Sequence, residues 1–326
     1  MKDGFNRDIN YLRMSITDRC NLRCFYCTPV QGLLKLAHHE ILRYEELLRL
    51  ARVGADLGLS KLRVTGGEPL VRRGVAGFIH GLSKIPGVRE ICLTTNGVRL
   101  VELAEALWDA GLRRLNISLD SLQPQRYRQL TGGDYFYQVW EGLRLAQTLG
   151  FAPLKLNCVV MRGLNDGELL DFARLSLEYP YQIRFIEYMP IGIQSHWHRH
   201  YYLSTEAIKA CLRPLGQLEE IPAESGAGPA QRYRLPGAPG EIGFISPISQ
   251  HFCPTCNRLR LTAAGRLRPC LLSDQEIDIK TPLRQGAADD TLKELFCTAI
   301  QRKPQRHPLI GLKSFNCQRP MASIGG

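Results

Sequence analysis

Tyr11-Leu12-Arg13-Met14-Ser15-Ile16-Thr17-Asp18-Arg19-Cys20-Asn21-Leu22-Arg23-Cys24-Phe25-Tyr26-Cys27-Thr28 is the stretch around which this chain of 326 residues is organised. Residues Tyr11 to Thr17 alternate well enough to form a strand, and that strand delivers a loop with three cysteines in C-x3-C-x2-C spacing. Spacings this tight let one loop wrap one soft metal centre, because thiolates select zinc, copper(I) or iron–sulfur clusters. A structural zinc site closes with four ligands, and an ordinary [4Fe–4S] cluster also takes four cysteines. A three-cysteine loop would leave one iron open. The competing readings are a zinc knuckle completed by a distant residue, or thiols that simply pack. The aromatic pair Phe25-Tyr26 does not decide between them.

Beyond this loop, strand-like and helix-like segments alternate. Helix Tyr44 to Leu57, with Gly58 as its cap, precedes strand Leu62 to Thr65, which ends in Gly66-Gly67-Glu68-Pro69. Helix Val75 to Lys84 leads to strand Ile91 to Thr95, and helix Leu100 to Ala110 to strand Leu115 to Asp120. After a polar stretch around Thr131 to Asp134 come helix Val139 to Leu149, strand Leu154 to Val160, helix Glu168 to Leu177 and strand Ile183 to Glu187. Six such units predict an α/β fold: a parallel sheet with helices outside, too few for a closed eight-stranded barrel and hence an incomplete, open βα barrel. Polar residues at the strand ends (Asp18, Glu68, Asn96, Ser118, Asp120, Glu187) put the expected ligand site on the C-terminal rim.

Near Tyr188 the pattern changes. The expected division is a partial βα barrel over residues 1–190 and a C-terminal region, 191–326, carrying the second cysteine cluster. The irregular stretch Gly192 to Tyr202, with His196, Trp197, His198 and His200, reads as a surface loop rather than a metal site. Ser204 is a suitable N-cap for a short helix to Leu212. Ile221 to Ala230 reads as a flexible loop, followed by short strands Arg232 to Leu235 and Glu241 to Ile245.

Cys253-Pro254-Thr255-Cys256 and Cys270 form a second trio. Arg258 to Thr262 and Arg266 to Arg268 read as the arms of a hairpin turning at Ala264-Gly265, which brings Cys270 back beside Cys253 and Cys256. The local candidate for a fourth ligand, His251, is too close in sequence to serve well. Two such trios are easier to explain as two [4Fe–4S] clusters than as structural zinc. Arg258 and Arg260 share one strand face beside the second trio, where guanidiniums would suit a phosphate-bearing substrate. Cys92 and Cys158 fall in core strands as small hydrophobes.

Composition sets the outer limits. An apolar content of 44% supports a sizeable core, and no apolar run reaches membrane-span length. The polar N-terminus does not resemble a signal peptide, so a reducing cytoplasm is expected, where eleven cysteines favour metal binding over disulfides. A formal charge of +11 favours an anionic partner, although it is spread along the chain. No basic arm or RNA-binding module is recognisable.

The motif Cys20-x3-Cys24-Phe25-Tyr26-Cys27 resembles the signature of radical S-adenosylmethionine enzymes, and Gly66-Gly67-Glu68-Pro69 resembles their second motif. The spacing of the second trio, Arg258-Leu259-Arg260 and the terminal Ile324-Gly325-Gly326 narrow the resemblance to the GTP 3′,8-cyclase family of molybdenum cofactor biosynthesis, from Arg13 to the last residue. The resemblance implies that Cys20, Cys24 and Cys27 hold a [4Fe–4S] cluster that binds and reductively cleaves S-adenosylmethionine. The 5′-deoxyadenosyl radical so formed would abstract hydrogen from ribose C3′ of GTP. The resulting carbon radical would attack C8 of guanine to give (8S)-3′,8-cyclo-7,8-dihydroguanosine 5′-triphosphate.

It further implies that Tyr26, Gly67, Ser118 and Met189 contact S-adenosylmethionine. A second [4Fe–4S] cluster on Cys253, Cys256 and Cys270 would hold the purine base. Arg13, Arg63, Thr94, Lys155, Arg258, Leu259 and Arg260 match GTP-contacting positions, and the tail glycines Gly325 and Gly326 would reach into the active site. No side-chain acid or base is implied. The implied partners are GTP, a low-potential flavodoxin- or ferredoxin-like electron donor and the next-step cyclic pyranopterin monophosphate synthase. A homodimer is a candidate assembly, and neither membrane nor nucleic acid is implied. Two other classes stay open at this point: a radical enzyme modifying RNA or peptide, and a zinc-binding interaction protein.

Overall fold

The computed structural model describes residues 1–28, 35–191, 197–222, 228–307, 317, 319 and 321–325. Gly326, His196 and the centre of the Ile221–Ala230 loop lie outside them.

Six strands form as the alternation requires: β1 (Tyr11–Ser15), β2 (Lys61–Thr65), β3 (Glu90–Thr95), β4 (Arg114–Ser118), β5 (Leu154–Val160) and β6 (Gln182–Glu187). Adjacent members pair in parallel. Helices α1 (Tyr44–Asp56), α2 (Val75–Ser83) and α3 (Leu100–Asp109) connect the first four strands. Helix α4 (Pro124–Thr131) and then α5 (Phe136–Thr148) link β4 to β5, and α6 (Leu169–Glu178) links β5 to β6. Leu12, Met14, Leu62, Val64, Leu93, Leu115, Ile117, Leu156 and Ile183 are fully buried against the helices and form the main core. That alternation leaves the other face of each strand turned inward.

The sequence pass misses α4. Its segment is strongly polar, with only Tyr127, Leu130 and Thr131 buried. Pro124 at its first turn is the one start signal.

The C-terminal part is not a separate appendage to the sheet. It contributes α7 (Thr205–Leu212), capped by the Ser204 hydroxyl accepting from the Ala207 N–H, and β7 (Glu219–Ile221), β8 (Gln231–Arg234) and β9 (Glu241–Ile245). Strands β10 (Arg258–Leu261), β11 (Arg266–Arg268) and β12 (Ile277–Asp278) follow, then α8 (Lys280–Arg284), α9 (Asp289–Gln301) and α10 (Met321–Ile324). β9 pairs in parallel with β6, and β10 in parallel with β1. The sheet order is therefore β12-β11-β10-β1-β2-β3-β4-β5-β6-β9-β8-β7. The six expected parallel strands gain one more on each side, and antiparallel strands finish both edges. β9 and β10 are not paired, so the barrel stays open there among the described residues. Helix α9, also absent from the sequence reading, packs on α1 through Arg49–Asp289 at 2.8 Å and Lys293–Asp56 at 3.6 Å.

Candidate active site

The inward residues of eight parallel strands enclose one cavity of about 300 Å³, at the small end for ligand sites. β1 contributes Tyr11 and Arg13; β2 contributes Lys61, Arg63 and Thr65; β3 contributes Thr94 and Thr95. Asn116 and Ser118 come from β4, Lys155 and Asn157 from β5, Arg184 and Ile186 from β6, and Arg258 and Arg260 from β10. Both cysteine trios line this same cavity. The site is not confined to the C-terminal rim. It continues down to Tyr11, Lys61 and Arg258, the first residues of their strands.

The first trio follows the upper end of β1. Its loop is held by main-chain bonds from Arg23 to Thr131 and from Phe25 to Leu130, both 2.8 Å. Phe25 meets the Tyr201 ring edge-on at 5.6 Å, and Trp197 joins the same apolar cluster, so part of the Gly192–Tyr202 stretch braces the loop. His198 and His200 are exposed. The Cys20 sulfur accepts from the Leu22 N–H at 3.4 Å and from the Asn96 side-chain amide at 3.8 Å. Burial, followed by the neighbouring Cys27, Asp120 and Cys20, pushes the Cys24 thiol far up, and burial with Cys20 pushes Cys27 up to about 12. Three thiols on one short loop that resist ionisation alone, with N–H donors aimed at Cys20, suit a cationic iron–sulfur centre.

Gly66 and Gly67 have a reason within the chain itself. The Gly67 N–H donates to Thr17 at 2.6 Å, and the Glu68 N–H to Arg19 at 2.7 Å. A β-carbon on Gly67 would stand 2.4 Å from the Arg19 carbonyl oxygen. The glycine is demanded by the backbone that leads into the cysteine loop, as well as by any ligand beside it. Glu68 is fully buried and accepts from Thr95 (2.7 Å), Asn96 (2.6 Å) and Leu70 (2.9 Å). Burial raises its pKa to about 7 despite those donors.

Cys253 and Cys256 lie on the segment that descends from β9 to the lower end of β10, and Cys270 follows β11, antiparallel to β10. The second trio therefore flanks the open side of the barrel. Burial pushes the Cys256 thiol up, but Arg258 and Lys303 outweigh it and bring the thiol down to about 6. Among the described residues no three His, Cys, Asp or Glu side chains are grouped as a metal site, so the assignment of a metal centre rests on the cysteine spacing.

Between the trios lies a belt of cations. Arg260, Arg13 and Arg63 occupy one register row across β10, β1 and β2. Burial brings Arg13 and Arg184 down to about 10 and Lys155 down to about 7, with neighbouring arginines adding repulsion. Burial would also lower Arg63, but Tyr11 and Cys92 hold it above its usual value, and its Nη1 donates to Thr94 Oγ1 at 3.1 Å. Mutually repelling buried cations are costly unless an anion joins them.

The structure brings together Arg13, Arg63, Thr94, Lys155, Arg258 and Arg260, along with Tyr26, Gly67, Ser118 and Met189. Tyr26 donates its hydroxyl to Asp120 at 2.9 Å. Leu259 is the exception: its side chain is fully buried in the core on the opposite strand face, because neighbours in a strand point to opposite sides. Only its backbone borders the interior. Glu187, expected on the ligand rim, does not line the cavity. It is fully buried and accepts from the Thr205, Ile248 and Ser249 N–H groups at 2.9, 2.9 and 3.0 Å, tying the C-terminal segment to β6. Met321 and Ala322 of the tail line the cavity, and the Gly325 carbonyl accepts from Arg260 Nη1 at 2.7 Å.

Sequence reasoning missed Lys61, Arg184, Asn116, Asn157 and Lys303. A signal existed for Arg184: an arginine set between Ile183 and Phe185 in a buried strand breaks an apolar run. Asn157 Oδ1 is buried with no hydrogen-bond donor, one strand from Ser118 in register.

Comparison with known proteins agrees with this arrangement. Residues 14–176 match the Radical SAM superfamily model and residues 181–309 the Molybdenum Cofactor Synthesis C model. A protein of Moorella thermoacetica named GTP 3′,8-cyclase is 51% identical over 326 residues, covering all of both chains. A GTP 3′,8-cyclase of Heliobacterium modesticaldum is 49% identical with the same full coverage. Among solved structures, Streptococcus suis SuiB bound to S-adenosylmethionine superposes with a TM-score of 0.60 at 12% identity, covering 88% of this chain and 68% of SuiB. That likeness speaks to the fold alone.

Proposed function

The chain belongs to the GTP 3′,8-cyclase family within the radical S-adenosylmethionine superfamily, and from that premise we propose how its residues divide the work. The reaction is conversion of GTP to (8S)-3′,8-cyclo-7,8-dihydroguanosine 5′-triphosphate, an early step of molybdenum cofactor biosynthesis. It takes S-adenosylmethionine and an iron–sulfur cluster. Two [4Fe–4S] clusters are our reading. Cys20, Cys24 and Cys27 would hold the one that meets S-adenosylmethionine, and Cys253, Cys256 and Cys270 the one that meets the guanine base.

The observation that carries this reading is one cavity lined by both cysteine trios and by a belt of cations. When bound, the first cluster and S-adenosylmethionine supply a carbon-centred radical able to take hydrogen from a C–H bond. The residues of the chain do the rest. Arg13, Arg63, Lys155, Arg184 and Arg260 neutralise the triphosphate, and their burial strengthens that attraction. Arg63 is held in place by Tyr11 and Thr94, so little order must be gained on binding. Tyr26, braced on Asp120, presents its ring to the cofactor side, and Gly67, Ser118 and Met189 complete that wall. Met321 and Ala322 cover the cavity and exclude water. Gly325, tied to Arg260, brings the tail to the substrate.

A low-potential electron donor, the next-step synthase as consumer of the product, and the domain division 1–190 and 191–326 belong to the same proposal. The test is anaerobic incubation with GTP, S-adenosylmethionine and a strong reductant. Cys20→Ser should abolish 5′-deoxyadenosine formation. Cys253→Ser should lose the cyclised nucleotide while some 5′-deoxyadenosine still forms. Identical failure of both variants would refute the division of labour.

A further inference from the structure

Lys303 follows α9 and is 4% exposed. Its ammonium donates to the Arg258 carbonyl at 2.7 Å and the Pro269 carbonyl at 2.8 Å. The first lies two residues after Cys256 and the second one residue before Cys270. One side chain thus pins both arms of the hairpin on which the second trio is built. Among the described residues no carboxylate pairs with it. Burial lowers its pKa, Cys256 and then Cys270 lie close enough to oppose that, and its charged neighbour is another cation, Arg258.

A buried ammonium without an acid is costly unless another negative group faces it. The groups that face it are thiols, and as ligands to iron they are thiolates. Arg7 offers an instructive contrast. It donates to the Cys253 carbonyl at 2.8 Å and the Pro304 carbonyl at 2.8 Å, but Asp3 already neutralises it at 2.6 Å. Arg7 braces the same loop without bringing net charge. Lys303 brings both.

We propose that Lys303 is the counter-charge of the second trio: it fixes the spacing of Cys256 and Cys270, and its ammonium raises the reduction potential of the iron–sulfur cluster they would ligate. The proposal rests on the two-cluster reading above. Its physical basis is that reduction adds negative charge to a cluster, and a fixed positive charge in a dry setting favours the reduced form. Lys303 is a positioning residue, since it would act on the cluster and touch no substrate.

The test uses the full-length chain carrying Cys20→Ala, Cys24→Ala and Cys27→Ala, so that only the second trio can hold iron. This reference chain is reconstituted anaerobically with iron and sulfide, assayed for iron and sulfide, and titrated electrochemically with detection by electron paramagnetic resonance. About four iron atoms per chain are expected, one [4Fe–4S] cluster. Adding Lys303→Met should shift the midpoint potential negative, Lys303→Arg should keep it near the reference, and removing the neutral pair as a unit, Asp3→Asn with Arg7→Met, should shift it far less than Lys303→Met. Should Lys303→Met fail to retain iron, recovery of iron in Lys303→Arg supports the same role through charge. An unchanged potential in Lys303→Met, or a Lys303→Arg chain no better than Lys303→Met, overturns it. A reference chain that binds no iron at all refutes the two-cluster reading itself, and the proposal falls with it.

Discussion

Lys155 offers a quantitative test of the cationic belt. Its ammonium lies in the bore of the barrel, where burial first, and then Arg184 and Arg63, bring its pKa down to about 7. Without nucleotide, Lys155 is therefore about half charged near neutral pH. A triphosphate beside it favours the charged form, so binding raises its pKa and takes up a proton. Affinity is then strongest below the free pKa and falls as pH rises through it. With a free pKa of about 7 and a bound value above about 9, GTP affinity falls about tenfold between pH 6 and pH 8, worth ~1.4 kcal/mol. The nucleotide titrates too, so the informative quantity is the difference between wild type and Lys155→Arg, whose guanidinium stays charged throughout. Calorimetry of GTP binding in two buffers of different ionisation enthalpy should show about 0.9 proton taken up per GTP at pH 8 in excess of the arginine variant. Parallel affinity profiles for the two proteins, with equal proton uptake, would refute a half-charged Lys155 in the phosphate belt.

Other expectations follow from single contacts. Gly67→Ala drives a β-carbon to 2.4 Å from the Arg19 carbonyl, so the cysteine loop must move; iron at the first trio and 5′-deoxyadenosine formation should both fall. Full iron content with normal turnover would show that the loop tolerates the shift. Glu187→Ala strips three N–H groups of their acceptor, a buried one at Thr205 and partly exposed ones at Ile248 and Ser249, so the loss of stability in denaturant unfolding should be about 1–3 kcal/mol. Gly325→Ala places a side chain at φ +75 with its β-carbon 3.1 Å from Ser15 and Thr65 atoms; a strain of about 1–2 kcal/mol should loosen the tail, lowering turnover more than GTP affinity. A chain lacking both terminal glycines that cyclises GTP at the full rate would refute a part for Gly325 and Gly326 in the activity.

The barrel could be read from the sequence because each buried strand carries its own local signature. Leu154 to Val160 and Glu241 to Ile245 form strands with the bounds their alternation suggests. Among the helices that escaped, α4 has apolar positions sparse among polar ones, whereas α9 carries a regular apolar set at Leu292, Leu295, Phe296, Ala299 and Ile300 that the sequence did offer. The cysteine trios were legible for a different reason: a loop that binds a soft metal must carry its ligands at short spacing, whatever the fold around it. For Leu259 the resemblance names a position, and its strand register adds that the side chain faces the core.

The sequence by itself therefore determined the two trios, the parallel βα order and an inward-facing set of polar residues, all of which depend on neighbours along the chain. Only the tertiary structure decided that β10 pairs with β1 and β9 with β6. Those contacts join residues far apart in sequence, and no local period encodes them. Through them Arg260 comes level with Arg13 and Arg63, the second trio closes on the same cavity as the first, and Glu187 is drawn from the expected ligand rim into holding the C-terminal segment. The loop Cys20 to Cys27 carries the composition and spacing of a metal site. It faces a substrate pocket because distant strands complete the wall opposite it.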